Sequence, residues 1–189
     1  LGADSLGRSL LARIIVGAQT SLAISACVVV VSMLIGGTLG IVAGYLGGWT
    51  STIIMRFTDV IFSFPSLLMA LIVLYILGPS IINVIMVLSI TRLPIYIRTT
   101  RAEVLEVRER MFVSAARALG VSTPAILVRH ILPVVFPTII TIGAVDFASV
   151  LLSESGLSFL GLGIQPPEFT WGAMVATGRA YLQTAWWLS

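Results

Sequence analysis

No charged residue occurs between Ile14 and Met55, and none between Val60 and Thr91. Runs this long decide the solvent before any motif is considered. A soluble domain carries about 25% charged residues. Here 10% of the 189 residues are charged and 58% are hydrophobic. A span needs about 20 apolar residues, and in lipid its backbone must satisfy its own hydrogen bonds. The sequence therefore predicts an all-α integral membrane protein.

Four spans are expected. The first has its core between Ser21 and Gly44. Its small residues recur at every fourth position, Ser32, Gly36, Gly40, Gly44 and Gly48, which on a helix makes a stripe for close helix packing. The second run is broken by Gly78-Pro79-Ser80, a turn signal, giving spans from Ile61 to Leu77 and Ile81 to Ile97. Pro65 falls near the start of one, and Pro94 is expected to kink the end of the other. The fourth runs from Ile131 to Leu152 and contains Asp146, the one acid well inside a predicted span. An acid at that depth is a candidate pathway residue or the partner of Arg92.

Between the third and fourth spans, residues 98–132 carry Arg98, Arg101, Arg108, Arg110, Arg117 and Arg129 with Glu103, Glu106 and Glu109. The arginine excess assigns this loop to the cytoplasmic side. Apolar residues at helical spacing predict one helix from Glu103 to Leu119. Gly120 is its stop, Ser122 or Thr123 the cap of a short second helix, and Pro124 lies in the first turn of that helix. Pro133 opens the next span. Residues 153–189 mix glycine, proline and tryptophan (Trp171, Trp186, Trp187) and are read as an outer loop that includes Glu154. The chain opens on "LGADSLGRSLLAR", without Met, and stops at "AWWLS". It reads as a piece of a longer membrane protein.

Several chemistries are excluded. All 11 basic residues are arginine, so the lysine of a phosphate-binding P-loop is missing. His130 is the only histidine and Cys27 the only cysteine, too few for a conventional zinc site. A net charge of +3, with arginines gathered in one loop, does not suggest nucleic acid. Ser153 or Ser155 of "SESG" cannot meet His130, because they lie at opposite ends of one predicted span. The serious alternative to an ATP-driven machine is a proton-coupled secondary transporter or channel subunit built around Asp146.

"SAARALGVSTPAILVRHILP" resembles the E-A-A motif of permease subunits in bacterial ABC importers. The match is carried by Ala115, Ala116, Gly120, Leu132 and Pro133, with Ser114 in place of the glutamate and His130 in place of the isoleucine. "GYLGGWTSTIIMRFTDVIFSFPSLL" and "SESGLSFLGLGIQPPEFTWGAM" also resemble segments of the C-type permeases of dipeptide, oligopeptide and nickel importers. The resemblance covers nearly the whole of residues 1–189 and implies a type I importer transmembrane domain, a fragment of a six-span subunit in the bacterial or archaeal inner membrane. It implies a second permease, two ATPase subunits that hold ATP and Mg, and an extracytoplasmic solute-binding protein. No catalytic residue, metal or cofactor is expected in this chain. The implied coupling element comprises Ser114, Ala115, Ala116, Gly120, Ser122, Pro124, Arg129, Leu132 and Pro133. Asp146 and Glu154 are candidate pathway residues, and "PPEFTWG" is a candidate contact for the binding protein.

Overall fold

The computed structural model describes residues 2–3, 7–165 and 168–188; Pro166 and Pro167 of the "PPEFTWG" stretch therefore lie outside the described residues. The described chain is built from helices: α1 Leu10–Leu46, α2 Gly48–Phe62, α3 Ser66–Leu77, α4 Ile81–Val107, α5 Met111–Ala118, α6 Thr123–Ile126, α7 Leu132–Phe159 and α8 Trp171–Gly178. A π-helical turn, Leu127–Ile131, joins α6 to α7, so Thr123–Phe159 runs as one helix. Among the described residues, α1, α4 and Thr123–Phe159 are long and apolar enough to cross a membrane, and α2 with α3 makes a fourth if the bent pair is one span.

The helices outrun their predicted limits. With 37 residues, α1 is about 55 Å long, against a hydrocarbon core of about 30 Å. The predicted span from Ile61 to Leu77 is corrected most. Its helix α3 has only 12 residues, about 18 Å, too short to cross alone. Pro65, at the N-cap of α3, lacks an N–H and disfavours helix in Phe64, so the chain breaks there and α2 precedes it. Helix α2 holds charges because they are matched: Asp59 accepts from Arg98 at 2.6 Å and lies 3.8 Å from Arg56. Helix α4 continues through Pro94 and beyond Ile97 to Val107. The single helix expected over Glu103 to Leu119 is divided by a turn at 108–110, yet the Glu106–Arg110 pair forms at 2.8 Å. Pro133 opens no span; it sits inside a helix already under way.

Two compact units make up the chain. The first comprises Leu1–Val29, Pro65–Ser89 and Phe147–Ser189. Its core gathers Ile24 and Val28 of α1, Ala70 and Leu74 of α3, Val84 and Val87 of α4, and Val150 and Leu157 of α7. Gly78 adopts φ 82° between α3 and α4, and the Asn83 amide closes that turn on the Leu77 and Gly78 carbonyls at 3.2 and 3.0 Å.

The second unit comprises Val30–Phe64 and Ile90–Asp146. Its organising contact is the glycine stripe. A methyl placed on Gly36, Gly40 or Gly44 would lie 2.6, 2.6 and 2.7 Å from the Cβ atoms of Tyr96, Thr100 and Val104. Those partners recur every four residues on α4, so the two helices touch along matching rows. The stripe ends there. Gly48 begins α2 at φ 52° with open space around its Cα, and is corrected out of the row.

Candidate functional site

The loop residues of the second unit form a compact element on the end of α7. Helix α5 buries Val113 and Ala116 in a cluster with Ile41, Val104, Val107, Ile126 and Ile131. Ser114 and Ala115 face outward, so only the second alanine of the pair is used in packing. The helix stops as glycine allows. Gly120 takes φ 79°, its N–H donates to the Arg117 carbonyl at 3.0 Å, and the Val121 N–H donates to the Ala116 carbonyl at 3.1 Å. This pair of bonds is the Schellman arrangement, with Val121 packed on the cluster as its apolar seal.

Ser122 occupies the N-cap of α6 in extended backbone, but its hydroxyl makes no cap bond, contrary to expectation. Pro124, at the second helical position, has no N–H to offer it. Arg129 and Pro133 are exposed, Leu132 is half-buried, and the ring of His130 lies 6.4 Å from that of Phe112. The result is an exposed strip, Ser122 to Arg129, mounted on a buried base and continuous with a long apolar helix.

The comparisons with known proteins bear on this arrangement. Residues 36–187 match the family described as binding-protein-dependent transport system inner membrane component. The chain belongs to that family. Among its relatives in this transport family, the di/tripeptide transport system permease protein DppC of Pseudomonas aeruginosa is 41% identical over 188 residues, covering 100% of this chain and 62% of that protein. A probable D,D-dipeptide transport system permease protein DdpC of Escherichia coli is 40% identical over 98% of this chain and 62% of its own length. The glutathione transport system permease protein GsiD of Pectobacterium atrosepticum is 41% identical over 95% of this chain and 60% of its own. The chain thus spans about three-fifths of the length of these inner-membrane relatives. It is a multi-pass membrane protein of the all-α importer class.

For this member of the transport family, the two acids in α7 have defined surroundings. Asp146, 4% exposed, lies 3.5 Å from Arg92 and accepts the Tyr96 hydroxyl at 3.1 Å. The pairing with Arg92 weighed from sequence is present, and Tyr96 was not foreseen. Glu154 is fully buried in the first unit. It accepts the hydroxyls of Ser158 at 2.7 Å and Ser21 at 3.4 Å, while Ser21 itself accepts the Trp171 N–H at 3.2 Å. Trp171 is half-buried, not a surface anchor, and its indole N–H donates to the Ile14 carbonyl at 3.1 Å. Glu154 thereby ties α1, α7 and the start of α8 together. Among the described residues no three His, Cys, Asp or Glu side chains gather as metal ligands would.

Proposed function

We propose that the chain is the membrane-spanning permease subunit of an ATP-driven importer, lining a translocation pathway with a second permease. Two separate ATPase subunits supply ATP and Mg chemistry, and an external binding protein delivers the solute. Residues 98–132 face the cytoplasm and residues 153–189 the outer side. Relatives named for di/tripeptide, D,D-dipeptide and glutathione transport support short peptides as the solute class.

One observation carries the coupling role. The exposed strip Ser122–Arg129 is short, stiff and joined without a loop to a span-length helix. A strip of this kind suits a groove on a motor subunit, because a push on it is not absorbed by slack backbone. The packing of Ala116 and the Schellman turn at Gly120 hold its angle.

The test uses the full-length permease in its assembled transporter. In a Cys27→Ser background, single cysteines at Val121 or Ala125 are expected to crosslink to an ATPase subunit. An active complex that gives no crosslink from either position refutes the docking role. Uptake into proteoliposomes that persists after the ATPase is left out points to the proton-coupled alternative, whereas ATP-dependent uptake lost with the ATPase supports the importer reading. That alternative needs a readily exchanged acid, and Asp146 is held between Arg92 and Tyr96.

A further inference from the structure

Helix α1 ends at Leu46, where Gly47 turns the chain at φ 67°. The last four carbonyls of a helix have no partner within it, and that end carries partial negative charge. Two arginines reach this turn, Arg108 from the bend between α4 and α5 and Arg117 from the last turn of α5. Arg108 Nη1 donates to the Gly44 carbonyl at 3.0 Å, across 64 positions of chain. The Arg117 guanidinium stands 5.6 Å from the centre of the Tyr45 ring, and Nη2 donates to the Tyr45 hydroxyl at 3.4 Å. Packing converges on the same turn. Val113 and Ala116 of α5 share a core with Ile41 and Tyr45 of α1, and Val104 closes directly on Gly44.

We propose that Arg108 and Arg117 are positioning residues that pass movement of the α5–α6 element to the last turn of α1. Coupling then runs through α1 as well as through α7, into which α6 leads. A half-exposed cation–π or ion contact is weak taken singly. Here two contacts act on adjacent residues, Gly44 and Tyr45, of a turn already seated against α4 and α5. A tilt of α5 therefore has no free path that leaves α1 behind. The inference rests on the coupling reading given above and adds the helix that receives the motion.

The experiment uses the complete transporter in proteoliposomes, with ATPase subunits and binding protein present and a labelled dialanine peptide as solute. Uptake per ATP hydrolysed is measured for Arg108→Gln with Arg117→Gln, alongside the crosslink from a cysteine at Ala125. The ratio is expected to fall on the order of fivefold, the low end of ordinary coupling between sites, while crosslink yield is unchanged. Arg117→Lys, which keeps a cation over Tyr45, is expected to retain more coupling than Arg117→Gln.

An unchanged ratio overturns the inference. So does loss of crosslink and uptake together, which makes the arginines docking or folding residues instead. If the double variant does not assemble, Tyr45→Leu carries the test through the Arg117 contact alone, with a smaller fall expected, and an unchanged ratio there overturns the inference. A parent protein that transports without crosslinking removes the docking reading and this inference with it. A parent that crosslinks beside uncoupling-free variants removes this inference alone.

Discussion

Replacing Gly40 by alanine adds one methyl group at the middle of the glycine row that packs α1 on α4 in the second unit. That methyl would stand 2.6 Å from Thr100 Cβ and 2.9 Å from the Ile97 carbonyl oxygen. Ordinary carbon–carbon contact begins near about 3.5 Å, so the shortfall is about 1 Å. Neither neighbour can swing aside, because Cβ is the root of the Thr100 side chain and the carbonyl is backbone. The helices α1 and α4 must separate, and the flanking Gly36–Tyr96 and Gly44–Val104 contacts loosen with them. Overpacking of this kind costs about 1–3 kcal/mol, set against a gain of about 0.5–1 kcal/mol from replacing a helical glycine. The matched control is Gly156→Ala in α7, where nothing lies within 4 Å of the added methyl and only the gain remains. Unfolding of the full-length permease in mixed micelles should show Gly40→Ala destabilised and Gly156→Ala neutral or stabilised. Equal behaviour of the two variants would refute the close packing of α1 on α4.

Two further perturbations test the site. Gly120→Ala forces a side chain into φ 79° and should cost about 1–2 kcal/mol, read in the same unfolding titration, with a parallel loss of crosslinking from Ala125. Asp146→Ala takes the carboxylate from Arg92 and the acceptor from Tyr96, and should destabilise by about 3–5 kcal/mol, as breaking a buried pair does. Asp146→Asn keeps an acceptor for Tyr96 and should cost less; unchanged transport in that variant dismisses Asp146 as a pathway residue.

The legible parts of this fold were those that depend on neighbours in sequence. The charge-free runs located the long helices, Gly78-Pro79 located their turn, and the pattern from Ala115 to Gly120 located the stop of α5. The spacing of Gly36, Gly40 and Gly44 revealed the row but not its partner, since Tyr96, Thr100 and Val104 carry no mark of facing glycine. Charges misled in both directions. Arg56 and Asp59 fell outside every predicted span, yet they lie in α2, where Asp59 is matched by Arg56 on the same helix and by Arg98 on another. Arg98 and Arg101 read as the end of a span, although α4 continues past both, with Arg101 donating to Ser51 at 2.8 Å. The burial of Glu154 was not legible, because one of its hydroxyl partners, Ser21, is 133 positions away. The contacts of Arg108 and Arg117 were invisible for the same reason.

The π-helical turn at Leu127–Ile131 explains a spacing that plain helix periodicity cannot. Ile126, Ile131, Val135 and Ile139 are all buried in one cluster, yet the first interval is five residues and the next two are four. In a regular α-helix, positions five apart point about 140° away from each other. The wider turn absorbs one surplus residue and brings Ile126 back into phase with Ile131. Ile126 thereby seats the buried side of the strip in the same core as Val135 and Ile139 of α7, so a load on Ser122–Arg129 reaches α7 through packed side chains as well as through backbone.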